Sequence, residues 1–251
     1  AVNCWGYNSD GQLGNNTTNN SSVPVAVATF TDGSATAVSI TAGGSHTCAL
    51  LNTGAVNCWG YNGNGRLGNN TTDNSLVPVA VAAFTGGVTA VSITAGEYHT
   101  CALLNTGAVN CWGYNLYGQL GNNTTNNSSV PVAVDPFTDG ATAVSITAGR
   151  YHTCALLNTG AVNCWGTQTR GQLGTGNTNN SLVPVAVSTF TDVSATAVSI
   201  TAGNFHTCAL LNTGAVNCWG YNVDGQLGNG TTTDSSAPVA VDPFTGGATA
   251  V

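Results

Sequence analysis

One unit is written almost five times along this chain of 251 residues, and that constrains the fold more than any other feature. The string Asn-Cys-Trp-Gly places its cysteine at Cys4, Cys58, Cys111, Cys164 and Cys218, in steps of 54, 53, 53 and 54 residues. His-Thr-Cys recurs at His46, His99, His152 and His206. A fixed period of this size marks a repeat architecture, in which a unit buries its apolar face by stacking on the next. The units run 1–54, 55–107, 108–160, 161–214 and a partial 215–251, and no linker interrupts them, so 1–251 reads as a single repeat domain. Residues 39 to 54 have no counterpart where Thr249-Ala250-Val251 would meet Ala1-Val2-Asn3-Cys4; with one, the chain would hold five whole periods. Lacking methionine and a signal peptide, it is expected to be a mature product or a window of a longer repetitive chain.

Each period reads as short strands separated by turn residues. In the first these are Ala1–Tyr7, Val23–Val27, Thr36–Ala42 and His46–Leu51. Val23, Val25 and Val27 alternate with Pro24 and Ala26, the two-residue period of a strand with one side buried. Pro24 has no amide to donate, so its strand belongs at an edge or its start. No segment shows the 3.6-residue period of an amphipathic helix. Four strands in about 53 residues is the size of a propeller blade. The fold class expected is therefore all-β, a β-propeller or propeller-type repeat array of about five four-stranded blades with one blade incomplete.

The hairpin from His46 to Trp59 can be derived nearly atom by atom. Cys48-Ala-Leu-Leu51 and Ala55-Val-Asn-Cys58 flank Asn52-Thr53-Gly54, a three-residue loop ending in glycine. Such a loop is a type I turn closed by a left-handed residue. Leu51 then faces Ala55, and Cys48 faces Cys58 at a non-hydrogen-bonded position, where Cα atoms lie about 4.5 Å apart. That is near the short end of what a disulfide accepts. The spacing of ten recurs at Cys101–Cys111, Cys154–Cys164 and Cys208–Cys218, so four disulfides are expected. Zinc would need a tighter C-x₂₋₄-C spacing, which is absent. Cys4 is left unpaired or available to another chain. Disulfides persist only in oxidising compartments, which predicts a secreted or cell-surface protein. Asn16-Thr17-Thr18, Asn70-Thr71-Thr72, Asn123-Thr124-Thr125 and Asn229-Gly230-Thr231 form glycosylation sequons, another sign of exposed loops.

Composition narrows the function classes. Only 5% of residues are charged: three arginines (Arg66, Arg150, Arg170), no lysine and ten acids give a net charge of −7. Three scattered arginines cannot neutralise a run of phosphates, so nucleic acid and anionic membrane surfaces are not expected partners. No apolar run approaches the roughly 20 residues of a membrane span.

The stretch Ala95-Gly96-Glu97-Tyr98-His99-Thr100 through Trp112-Gly113-Tyr114-Asn115-Leu116-Tyr117-Gly118-Gln119-Leu120-Gly121 resembles the repeat of the RCC1 family, regulator of chromosome condensation. That repeat reads A-G-x-x-H, an alternating strand with a G-x-V turn, then W-G-x-N-x-x-G-Q-L-G, and the match extends over every period. The resemblance implies β-propellers, usually of seven four-stranded blades. Five periods leave a closed ring, a partial ring and an open helical array as alternatives. Nucleotide exchange and chromatin binding belong to intracellular members. Paired cysteines and the lack of basic residues instead suggest a secreted, cysteine-containing bacterial-type variant, members of which bind other proteins through the loop face.

The four histidines occupy one repeat position each and read as groups that hydrogen-bond backbone between blades, the alternative being a ring of metal ligands. Trp5, Trp59, Trp112, Trp165 and Trp219 read as blade core. The acids are scattered through turn segments, and no Ser-His-acid, H-E-x-x-H or calcium-loop pattern is present, so neither catalysis nor a metal or cofactor is expected. Identical repeat positions report the scaffold, whereas varying ones are free to bind. Variation concentrates between Ala-Gly and His (Glu97-Tyr98, Arg150-Tyr151, Asn204-Phe205) and after Trp-Gly (Leu116-Tyr117, Thr169-Arg170), both at strand ends. Tyr98, Arg150, Tyr151, Phe205, Tyr117 and Arg170 are the candidate binding face, being residue types that dominate protein contacts. Two functions follow as expectations. One is a structural or adhesive extracellular protein whose near-identical repeats assemble head to tail with copies of itself into a filament or surface array. The other is a monomeric binding propeller, an inhibitor or a glycan receptor, whose partner is an extracellular protein or glycan.

Overall fold

The computed structural model describes residues 1–244 and Ala250. The described residues form five antiparallel sheets, four of four strands and one of two, with a single short 3-10 turn at Thr138–Gly140. Two compact units divide the chain, residues 1–116 with 125–133, and residues 117–124 with 134–251.

The first unit holds three sheets. One is the pair β1 (Asn3–Gly6) and β2 (Ser21–Ala26). The next runs β3 (Ala37–Ala42), β4 (His46–Leu51), β5 (Val56–Gly60) and β6 (Ser75–Ala80) in that order. The last runs β7 (Ala90–Ala95), β8 (His99–Leu104), β9 (Val109–Gly113) and β10 (Ser128–Ala133). The second unit holds β11 (Ala143–Ala148), β12 (His152–Leu157), β13 (Val162–Gly166) and β14 (Ser181–Ala186), then β15 (Ala197–Ala202), β16 (His206–Leu211), β17 (Val216–Gly220) and β18 (Ser235–Ala240). Strands in sequence order pair as neighbours, the meander of a propeller blade.

The proline strand lies at the edge of every four-stranded sheet, where the missing amide of Pro78, Pro131, Pro184 or Pro238 interrupts no ladder. The β4–β5 register pairs Leu50 with Val56, Cys48 with Cys58, Thr47 with Trp59 and His46 with Gly60. Gly54 closes the turn at φ 79°, a left-handed conformation that glycine adopts without steric cost. Cys48–Cys58, Cys101–Cys111, Cys154–Cys164 and Cys208–Cys218 are bonded, with Cα separations of 4.0 to 4.1 Å. These are shorter than the ~4.5 Å of an unbridged pair, because the bond draws the strands together. Cys4 is a half-buried free thiol.

What locks one repeat to the next is a shared carbonyl. Thr100 Oγ1 donates to the carbonyl of Arg66 at 2.9 Å, and Trp112 Nε1 donates to the same oxygen at 2.9 Å. His46 Nε2 lies 2.8 Å from Thr100 Oγ1, whose one proton is already committed. The imidazole must therefore be the donor, which fixes the Nε2–H tautomer. In the second unit His152, Thr207, Trp219 and the Gln172 carbonyl repeat the arrangement at 3.0 Å each. The histidine thus reaches the neighbouring sheet through a threonine hydroxyl rather than directly through backbone.

Trp59, Trp112, Trp165 and Trp219 are fully buried, but Trp5 is 63% exposed and does not belong to the core. Each buried indole lies against the Gly-Gln/Arg-Leu-Gly loop one repeat back, a contact that Trp5 does not make among the described residues. The contact is close enough to require glycine: a Cβ on Gly121, itself at φ 68°, would lie 2.7 Å from Trp165 Nε1. Gly121→Ala is therefore expected to lower unfolding free energy by on the order of 3 kcal/mol, combining backbone strain with overpacking. Urea unfolding checks this, and an unchanged midpoint would contradict it.

Candidate functional site

Loops at one end of each sheet carry the varying residues, and buried amides fix those loops. Asn62 Oδ1 accepts from the Leu67 amide at 2.9 Å while its Nδ2 donates to the Thr71 carbonyl at 3.0 Å and to Asn69 Oδ1 at 3.2 Å. Asn222 makes the same contacts to Leu227, Thr231 and Asn229. In the fourth repeat Gln168 takes over, donating to the Asn177 carbonyl and accepting from the Leu173 amide. With their backbone held from inside, the neighbouring side chains are free to face outward.

Five of the six candidate residues fall in the second unit, and together with Tyr221 they form one continuous ladder. Tyr117 meets Tyr151 edge-on, with centroids 5.1 Å apart. The Arg150 guanidinium lies 5.3 Å from the Tyr151 ring and 5.5 Å from the Phe205 ring. Phe205 meets Tyr221 at 6.3 Å, and Arg170 sits 5.1 Å over Tyr221. Arg170 also pairs with Asp234 at 3.5 Å, and that carboxylate accepts the Asn222 amide at 2.8 Å through its other oxygen. Tyr117 and Arg170, at opposite ends, are exposed, while the rings between them are half-buried. Rings edge-on to rings and cations over ring faces follow from the aromatic quadrupole.

The sixth candidate, Tyr98, belongs to the first unit, where it contacts Tyr114 at 5.8 Å and lies 5.3 Å from Arg66. Arg66 is also 4.7 Å from the Tyr61 ring, and its guanidinium donates to the Glu97 carbonyl and Asn64 Oδ1. Only 3% exposed, Arg66 works as an internal clip. Burial pulls its pKa down from the ordinary arginine value, opposed by the nearby Tyr61, Tyr98, Glu97 and Asp10. Tyr61, Tyr114 and Tyr221 recur at one repeat position, so sequence comparison alone reads them as scaffold. Their role shows only when the loops are brought side by side.

Aromatic faces and guanidinium groups bind planar, apolar and anionic groups. Among the described residues no three of His, Cys, Asp and Glu come together as metal ligands would. None of the described helices is long and apolar enough to cross a membrane.

Comparison with known proteins agrees with the repeat pattern. The RCC1-like domain profile matches residues 1–251. The ultraviolet-B receptor UVR8 of Arabidopsis thaliana is 32% identical over 237 residues, covering 94% of this chain and 52% of the receptor. The chain therefore spans about half the length of that relative. Among solved structures, human WBSCR16 superposes with a TM-score of 0.83 at 24% identity, covering 97% of this chain and 62% of that one. Prp20p of Saccharomyces cerevisiae gives 0.82 at 24% identity, covering 97% and 59%. These structures show the fold alone, and with the match along the whole sequence they lead to one assignment. The chain belongs to the RCC1-like domain family of β-propeller repeats.

Proposed function

We propose that the chain is an exported, non-catalytic protein-binding module that engages its partner through the Tyr117–Tyr151–Arg150–Phe205–Tyr221–Arg170 ladder. The ladder is the observation that carries this reading. It gathers five side chains from the positions that vary among repeats, joined by the recurrent Tyr221, into one strip at the strand ends. Tyrosine, phenylalanine and arginine held against one another lose little rotamer freedom on binding, which is how contact hot spots are built. Four disulfides support an oxidising setting outside the cytosol. The solved relative Prp20p is described by its binding to Gsp1p and histones, and yeast RCC1 is seen with Kap60, so protein partners occur on this fold.

The filament reading draws less support. Head-to-tail joining by strand exchange would require a copy to release a His-Thr-Cys strand that is already paired on both sides, as β4 is by β3 and β5.

The test is binding to proteins from the extracellular fraction of the source culture, using the purified chain and a Tyr151→Ser, Phe205→Ser, Arg170→Ser variant. Saturable binding of one protein is expected, weakened at least a hundredfold in the triple variant and unchanged by Val91→Ser, at an exposed position of β7. Equal binding by both chains would remove the ladder from the reading, and binding to glycans alone would replace the protein partner.

A further inference from the structure

The turn end of the β4–β5 hairpin, away from the varying loops, carries a cleft of its own. Its volume is about 760 Å³, and every residue that lines it lies between Thr31 and Thr89. Small-molecule sites occupy roughly 300–1,000 Å³. Val56, Val81, Phe84 and Val88 form apolar walls. These walls are held from behind: Val81, Phe84 and Val88 pack on the core cluster that contains Val56, and Phe84 meets Trp112 at 6.4 Å. The lining has one buried polar side chain. Asn57, 1% exposed, commits its Oδ1 to the Thr31 amide and the Thr31 hydroxyl, each at 3.0 Å. A backbone N–H can only donate, so the atom facing Thr31 is the oxygen and the other atom is the nitrogen. That Nδ2 has no hydrogen-bond partner among the described residues. Asp32, which is exposed, also lines the cleft, and no arginine does.

The fourth repeat shows what the same place looks like when it is filled. There the cleft beside Val162, Val187 and Phe190 is only about 280 Å³. The loop from Phe190 to Thr196 is one residue longer than the loop from Phe84 to Thr89, and it brings Val193 and Ala195 into the lining. In the second repeat Gly86 and Gly87 stand there instead, at φ 84° and 70°. Two consecutive left-handed residues suit glycine, and neither has a side chain to fill the space. The equivalent Asn163 also has an unpartnered Nδ2, but that atom is sealed from solvent and Asn163 does not line the smaller cleft.

We propose that the cleft of the second repeat binds a small uncharged molecule with an apolar body and a carbonyl group, whose oxygen accepts a hydrogen bond from Asn57 Nδ2. The valine and phenylalanine walls favour a hydrocarbon body, since burying it removes apolar surface from water. A buried N–H that lacks an acceptor is costly, so a ligand that brings one gains more there than at an exposed amide. Thr31 holds the Asn57 amide in one orientation before any ligand arrives, which leaves little ordering to be done on binding. Charge works against the alternatives. A carboxylate would meet no arginine and would face Asp32, while an ammonium group would press its hydrogens on those of Asn57.

The experiment titrates the intact chain, isotope-labelled at its valine methyl groups, with benzylacetone, phenylbutanoate and phenylbutylamine. The three share a phenyl body and differ in the head group: a neutral ketone, an anion and a cation. Methyl resonances of Val56, Val81 and Val88 are expected to shift saturably with the ketone, at a Kd at least tenfold lower than for either charged compound. Asn57→Asp keeps an acceptor for Thr31 but removes the donor, and is expected to weaken ketone binding at least tenfold. Ala83→Trp, at an exposed position of the lining, is expected to do the same by filling the cleft while leaving the urea midpoint unchanged. No saturable shift, tighter binding of the amine or the carboxylate, undiminished ketone binding in Ala83→Trp or in a folded Asn57→Asp chain, or equal shifts at Val162 and Val187 would each overturn the proposal. None of these readouts involves the aromatic ladder.

Discussion

Between pH 6.5 and pH 4.5 the folded chain is expected to lose about 5 kcal/mol of stability through two histidines. His46 and His152 are fully buried, and desolvation holds the pKa of each down at about 3; neighbouring Arg66 and His99 add to it for His46, and His206 for His152. An unfolded histidine titrates near 6.5, so below that pH the unfolded chain binds protons that the folded chain refuses. The contribution is therefore complete above pH 6.5 and shrinks as pH falls, by about 1.4 kcal/mol per unit for each residue, until the folded value near 3 is reached. Two units below 6.5 this comes to about 2.7 kcal/mol per histidine, large against a total of 5–15 kcal/mol for an ordinary domain. The refusal has a geometric cause as well as a dielectric one. Nε2–H is committed to the threonine of the next sheet, and protonation would place a second N–H at Nδ1, which has no partner in either residue. His206, half-buried, is shifted in the same direction. Thermal unfolding at pH 7.5, 6.5, 5.5 and 4.5 should show a falling midpoint. A His46→Gln, His152→Gln chain should start lower at pH 7.5, with a visibly flatter profile. A midpoint unchanged down to pH 4.5 would contradict the assignment.

The interactions most visible in the sequence were those confined to one hairpin. Asn52-Thr53-Gly54 sets the turn, the turn sets the register, and the register brings Cys48 opposite Cys58; each step uses residues close in sequence. The place of the proline strands follows in the same way from a missing amide. Contacts between repeats lie deeper. That Thr100 lends its oxygen to His46 while donating to the Arg66 carbonyl involves residues 54 and 34 positions apart, and no local pattern encodes it. The exposure of Trp5 is hidden for a related reason, because identical repeat residues acquire different environments once neighbouring sheets decide what is covered. The candidate face was legible as a set of varying positions. Its continuity was not, since Tyr221 occupies a repeated position and joins the ladder only through Phe205 and Arg170.

Reducing the four disulfides is expected to have the other large effect. Each closes a loop of ten residues, worth about 2.7 kcal/mol by the chain-entropy relation, an upper value because the glycine turn already keeps the hairpin compact when unfolded. The bonds are also part of the packing. Cys48 and Cys58 are completely buried, in a cluster with Leu50, Val56, Ile93 and the indole of the following repeat, Trp112. Cys154 and Cys164 stand likewise among Leu156, Ile200 and Trp219. Breaking one such bond therefore loosens the contact between consecutive sheets as well as its own hairpin. The effect should differ between substitution and reduction. Cys101→Ala with Cys111→Ala removes sulfur from a filled core and adds a cavity cost, whereas reduction leaves two thiols in nearly the same volume. With a water-soluble phosphine added under partly denaturing conditions, the chain should stay unfolded at urea concentrations that the oxidised form withstands, and should recover on reoxidation. The double-alanine chain should lose about 2–4 kcal/mol with the other three bonds intact. If the reduced chain unfolds at the same urea concentration as the oxidised one, the staples are ornaments on a fold that repeat stacking alone maintains, and the argument for an oxidising compartment loses its physical basis.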